Sequence, residues 1–132
     1  MRLIRAAATA NTPKVVFNMT GNSLVIEGEC YPENPKEFFA PFLRMLNNHF
    51  ETNKVGAFEV RFNLRYLNTT ATKALQNILA ILESQAGAGT AVDVYWSYDP
   101  EDDALEEIGH DLLDDFSHLR AHCMAMAPQK TQ

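Results

Sequence analysis

The chain has 132 residues, 46% of them hydrophobic and 21% charged, which is the mix of one globular domain rather than of a disordered segment. Eleven basic side chains against 17 acidic ones give a net charge of -6, which argues against a general nucleic-acid binder, because neutralising phosphates requires a basic face. Cys30 and Cys123 are too few for a disulfide framework and suit a reducing compartment.

Residues 1–12 read as an N-terminal arm. Met1 to Ala10 is basic and free of acids, as targeting peptides are, but Arg5 interrupts it and Ala6 to Ala10 is too short and weak for a signal core. The expectation is a cytoplasmic protein without membrane insertion. One domain should span 13–126, with 127–132 as a flexible polar tail. Val15-Val16-Phe17 and Ser23 to Glu29 flank Thr20-Gly21-Asn22, whose turn chemistry makes the two runs a hairpin. Tyr31-Pro32-Glu33-Asn34-Pro35 is a rigid loop that leads into a helix, with Asn34 as cap, Pro35 at its first position and Glu37 placed for a capping box. Phe38, Phe39, Phe42, Leu43, Leu46 and Phe50 follow at helical spacing, and Pro41 should kink this helix or delay its regular part.

Ala57 to Tyr66 is the clearest strand: Phe58, Val60, Phe62, Leu64 and Tyr66 alternate with Glu59, Arg61, Asn63 and Arg65. Residues 70–86 form the clearest helix, with Ala71, Ala74, Leu75, Ile78, Leu79 and Leu82 on one stripe and Gly87-Ala88-Gly89 as its stop. Val92 to Tyr98 is another strand. Asp102 to Phe116 is a helix buried through Leu105, Ile108, Leu112, Leu113 and Phe116, and a weak last strand runs from Leu119 to Met124. The order β-β-α-β-α-β-α-β predicts an α/β fold: a mixed sheet of about five strands whose strand-helix-strand units are parallel. Strands covered on both faces read as continuous apolar runs, whereas Glu59, Arg61, Arg65 and Asp93 interrupt these, so the helices should pack mainly on one face.

Several candidate sites can be weighed. Gly87-Ala88-Gly89-Thr90 lacks the Lys-Ser/Thr end of a phosphate loop and follows a helix instead of preceding one. His118 and His122 have a zinc-like spacing only on a helix, and here they flank a strand, which disfavours a site with Cys123 or Cys30. No metal or cofactor is expected. The stretch from Asp99 to Asp115 holds nine of the 17 acids and no Lys or Arg. It reads as a solvated helix face with acids at its N-terminus, or as a docking surface centred on Glu106 and Glu107, or as the working part of a small enzyme or metal-binding domain. Tyr66-Leu67-Asn68-Thr69-Thr70-Ala71-Thr72-Lys73 joins the clearest strand to the clearest helix, at the sheet edge where functional sites usually lie. Thr69 or Thr70 would cap the helix. Three hydroxyls exceed what one cap needs, and a phosphate there would meet free N–H groups, the positive helix end and Lys73.

The blocks Thr12-Pro13-Lys14-Val15-Val16-Phe17, Gly28-Glu29-Cys30-Tyr31-Pro32-Glu33-Asn34-Pro35, Tyr66 to Leu75 and Trp96-Ser97-Tyr98-Asp99 resemble, in order and spacing, the SiaC family of bacterial regulatory phosphoproteins. That resemblance covers nearly the whole chain. It implies a STAS-like fold, as in anti-sigma-factor antagonists, and a binding protein without catalysis. It further implies a partner switch. An anti-sigma-type Ser/Thr kinase phosphorylates the protein, a metal-dependent protein phosphatase reverses this, and the unphosphorylated form binds and activates a diguanylate cyclase, linking it to cyclic di-GMP and biofilm formation. The acceptor implied by the family's Asn-Thr block is Thr69, with Thr70 and Thr72 as the lesser candidates. The implied switch and partner surface comprises Tyr31, Pro32, Glu33, Asn34, Tyr66, Asn68, Thr70 and Lys73. The chain departs from the family in carrying Thr70, Ala71 and Cys30 where Ser is common.

Overall fold

The computed structural model describes residues 3–126; the expected tail at 127–132 lies outside them. The elements run β1 (Leu3–Ala6), β2 (Lys14–Asn18), β3 (Ser23–Cys30), α1 (Pro35–Thr52), β4 (Ala57–Leu67), α2 (Thr69–Gly87), β5 (Ala91–Tyr98), α3 (Asp103–Asp114) and β6 (Arg120–Ala125). The strands form one six-stranded sheet in sequential order. β1, β2 and β3 are antiparallel neighbours, and the pairs β3–β4, β4–β5 and β5–β6 are parallel.

The expected architecture holds, with one strand more than the expected five. The extra strand, β1, lies inside the segment read as an arm, where Arg5 pairs with Val16 and Ala6 with Val15. Four residues carry too little periodicity to announce a strand; their conformation is imposed by the edge of β2. The helix-facing side of the sheet is dry, with Phe17, Ile26, Val60, Phe62, Val94 and Trp96 buried. α2 buries the stripe expected of it, Ala71, Ala74, Leu75, Ile78, Leu79 and Leu82. α1 runs unbroken through Pro41, which sits on its exposed side near the N-terminus. Pro35 opens the helix and Asn34 caps it as expected, its Oδ1 accepting from the Glu37 amide at 3.1 Å, but among the described residues the Glu37 carboxylate does not reach back to the Asn34 amide, so the capping box is half made.

The other sheet face is wetter and ordered by cross-strand pairs. Arg61, Tyr95 and His122 are in register on β4, β5 and β6. The Arg61 guanidinium lies 4.3 Å from the Tyr95 ring centre, and His122 stacks on the same ring at 4.7 Å. Two residues back along these strands, on the same face, Asp93 accepts two bonds from Arg120, at 2.9 and 2.6 Å, and one contact from His122 at 3.1 Å. The bonds from Arg120, and then from His122, hold the Asp93 carboxyl below its ordinary range.

Candidate functional site

The site is assembled where β3 and β4 end. Their register shifts by one residue: Gly28 lies opposite Leu64, but Glu29 lies opposite Tyr66, so Arg65 is the extra residue of a bulge. Gly28 takes φ +109° there, a conformation costly for any side chain. The bulge reverses the alternation of β4. Leu64 and Leu67 are buried, while Arg65 and Tyr66 between them are exposed. Tyr66, expected to continue the inward series of Phe58 to Leu64, is 51% exposed. It meets Tyr31 edge-to-face at 5.1 Å, which joins the β3–α1 loop to the end of β4.

The next residue is the helix cap. Asn68 Oδ1 accepts from the Ala71 amide at 2.9 Å, and the Thr72 hydroxyl donates to the Asn68 carbonyl at 2.9 Å. The expectation that Thr69 or Thr70 caps α2 is therefore corrected. Asn68 precedes both, and its short amide side chain reaches the third helical amide from there. Thr69 and Thr70 become the first two helical residues and both are exposed. Their amides have no acceptor within the helix, the ordinary condition of a helix start.

An open cleft of about 570 Å³ separates this helix start from α3. One wall is Tyr66, Leu67, Asn68, Thr69, Thr72, Lys73 and Gln76; the other is Ile108, Asp111, Leu112 and Asp115. Thr69 lines the cleft and Thr70 does not. Tyr31, Pro32, Glu33 and Asn34 do not line it either: Tyr31 reaches it through Tyr66, Pro32 is buried, Glu33 is exposed, and Asn34 is the cap of α1. Glu106 and Glu107 also lie outside the cleft. Glu106 bonds Tyr98, whose hydroxyl is raised above its ordinary range by burial and then by the Glu106 charge, and it pairs with His110 at 3.7 Å.

The carboxylates that enter the cleft are Asp111 and Asp115, which reading the acidic run did not distinguish from its seven other acids. Their signal was the spacing of four that puts both on the flank of Leu112. Much of the remaining acidity has a local task. Asp102 caps α3 by accepting from Leu105 N at 3.0 Å, and Asp99 accepts from Glu101 N at 2.9 Å. His118 and His122 do not converge. His118 is held by Glu83, through its ring at 2.6 Å and its amide at 2.9 Å, and these bonds hold the Glu83 carboxyl low. His122 belongs to the open sheet face. Cys30 is fully buried, and burial pushes its thiol up to about 12. Among the described residues no group of three His, Cys, Asp or Glu side chains is arranged to hold a metal ion, and no helix is long and apolar enough to cross a membrane.

The fold recurs in known proteins. The chain resembles apo-SiaC from Pseudomonas aeruginosa, with a TM-score of 0.87 at 27% identity over 95% of this chain and 100% of that one. A second match, with a TM-score of 0.86 at 26% identity over 93% and 99%, comes from the crystal structure of the diguanylate cyclase SiaD in complex with its activator SiaC, from the same species. An uncharacterised protein of Pseudomonas aeruginosa strain UCBPP-PA14 is 29% identical over 117 residues, covering 86% of this chain and 92% of that protein. Residues 6–126 match the SiaC family, and the chain belongs to this family of regulatory phosphoproteins.

Proposed function

We propose that the protein is a non-enzymatic, cytoplasmic partner switch that in its unphosphorylated form binds and activates a diguanylate cyclase, and so acts on cyclic di-GMP signalling and biofilm formation. An anti-sigma-type Ser/Thr kinase transfers phosphate to the Thr69 hydroxyl, and a metal-dependent protein phosphatase removes it. The observation that carries this reading is the position of Thr69: exposed, in the cleft wall, at a helix start and one turn before Lys73. Thr70 is exposed but outside the cleft, and the Thr72 hydroxyl already donates to Asn68. The complex formed by a relative, SiaC with the cyclase SiaD, supports the choice of effector.

The effector surface in this reading is the exposed pair Tyr31 and Tyr66 with the rim around Glu33, Asn68, Thr70 and Lys73, while Pro32 and Asn34 hold the loop. Aromatic side chains with a polar handle are the residues that most often anchor interfaces. A phosphoryl group added among them adds about -1.5 to -2 charges, which a docked partner must bury or avoid. An unpaired buried ion costs several kcal/mol, and 3 kcal/mol alone is about a hundredfold in affinity. Glu107, exposed on α3, is available for docking a basic surface; Glu106 is engaged with Tyr98 and His110.

The test is kinase treatment, mapping of the modified residue and titration with the cyclase. Phosphate on Thr69 should weaken binding about a hundredfold, by the same estimate. Thr69→Ala should resist modification and keep most of its affinity. Phosphate found only on Thr70 or Thr72, or full affinity after complete Thr69 modification, would sink the reading. Glu107→Lys should slow association in a salt-sensitive way; the same rate at low and moderate salt would remove the docking role.

A further inference from the structure

Two helix ends of opposite polarity meet across the cleft. The wall bearing Thr69 is the start of α2, where the helix dipole is positive, and it adds Lys73. The opposite wall is the last turn of α3, where the dipole is negative; that turn has no basic residue, and it adds Asp111 and the capping Asp115. In the unmodified protein the two walls attract one another. α3 also has a narrowly defined seat. Gly109 faces the Trp96 indole so closely that a Cβ on it would come within 2.4 Å of the ring, and the Trp96 Nε1–H donates to the Leu105 carbonyl at 3.0 Å.

We infer that Asp111 and Asp115 are the groups that read the charge state of Thr69, turning its phosphorylation into a displacement of α3 from the Trp96 seat. The inference rests on Thr69 being the modified residue. A phosphoryl group of about -2 charge outweighs the single ammonium of Lys73, so the α2 wall changes from positive to negative while the α3 wall stays negative. The charges line opposite walls of one cleft, and physiological salt screens a charge only over roughly 8 Å. Attraction becomes repulsion, and α3 is the wall that can give, because it is the shorter helix, of 12 residues against 19. Phosphorylation would then act on an effector in two ways, by the charge itself and by moving one side of the cleft.

The sign of a stability change tests this without any partner. An acid in the first turn of a helix is ordinarily stabilising. Thr70→Glu, outside the cleft, should therefore hold or raise Tm, whereas Thr69→Glu, whose single charge cancels that of Lys73 and so removes the attraction between the walls, should lower it by about 2–5 °C, a shift typical of one lost interaction in a domain of this size. In an Asp111→Asn/Asp115→Asn background the Thr69→Glu penalty should vanish, which is the coupling a double-mutant cycle isolates. The single tryptophan reports the seat directly: its emission should shift in Thr69→Glu and in full-length protein synthesised with phosphothreonine at 69, but not in Thr70→Glu. Equal Tm changes at positions 69 and 70, a penalty that persists without the two aspartates, or unaltered Trp96 emission would overturn the inference. The proposed function fails separately, if cyclase affinity does not respond to modification of Thr69.

Discussion

Gly109 of α3 packs against the indole of Trp96, and a Cβ added there would stand 2.4 Å from two ring atoms. Trp96 is itself buried and hydrogen bonded to the carbonyl of Leu105, so the ring has no free end to swing away. Gly109→Ala gains helix propensity of about 1 kcal/mol but forces a repacking that costs about 1–3 kcal/mol. The expected result is a net loss of up to about 2 kcal/mol in urea unfolding, with altered Trp96 fluorescence. A variant more stable than the parent would mean that α3 packs differently.

Asn68 is both the last residue of the β4 connection and the cap of α2. Asn68→Ala should cost about 0.5–2 kcal/mol, and Asn68→Asp, which keeps the acceptor, should cost little. Amide exchange should accelerate at Ala71 and Thr72 in the Ala variant alone. Equal exchange in the two variants would show that the cap does not hold this helix start.

His49 sets a pH dependence. Its Nε2–H donates to Asn22 Oδ1 at 2.7 Å, since the amide oxygen can only accept, and its Nδ1 faces the Asn53 amide at 3.3 Å. Burial lowers its pKa, and Nδ1 has no acceptor for a second proton. The folded state therefore keeps His49 neutral where the unfolded chain, with a pKa near 6.5, takes up a proton. The stabilisation is complete above about pH 6.5 and is lost as pH falls through the folded pKa, at up to about 1.4 kcal/mol per pH unit. Glu83 and Asp93, whose pKa values are lowered by His118 and Arg120, withdraw their contributions only below about pH 4.5. Urea unfolding from pH 7.5 to 5 should show the upper slope in the parent and a flatter one in His49→Gln. Identical slopes would exclude His49 as the group responsible.

Cys30 should not react in the native state. It is fully buried and its thiol is pushed up to about 12, so the thiolate that reacts is scarce at neutral pH. Cys123, half-buried, is raised by burial and then by Asp114 and Glu106 and should react slowly. Thiol titration should find at most one slow group until denaturant is added, and then two. Prompt labelling of Cys30 in folded protein would contradict its place in the core.

The chain by itself determined the periodic features. Alternation in 57–64 and 92–98 and the stripe of α2 specified a one-sided mixed sheet, because each pattern is written within one segment whose side chains divide between core and water. Pro35 after Asn34, and the stop at Gly87-Ala88-Gly89, were legible for the same reason: a cap acts over three or four residues. The family resemblance carried Thr69, which spacing alone did not separate from Thr70 and Thr72. What tertiary structure decided were the relations between segments. β1 forms because β2 offers an edge, and Tyr66 turns out to meet Tyr31 because the β3–β4 register slips at Gly28. His49 anchors the hairpin turn at Asn22, 27 residues away in the chain. Asp111 and Asp115, two acids among nine in one run, stand across from Thr69 because Gly109 lets α3 settle on Trp96. Such choices depend on which surfaces meet when helices pack on a sheet, and no local spacing encodes that.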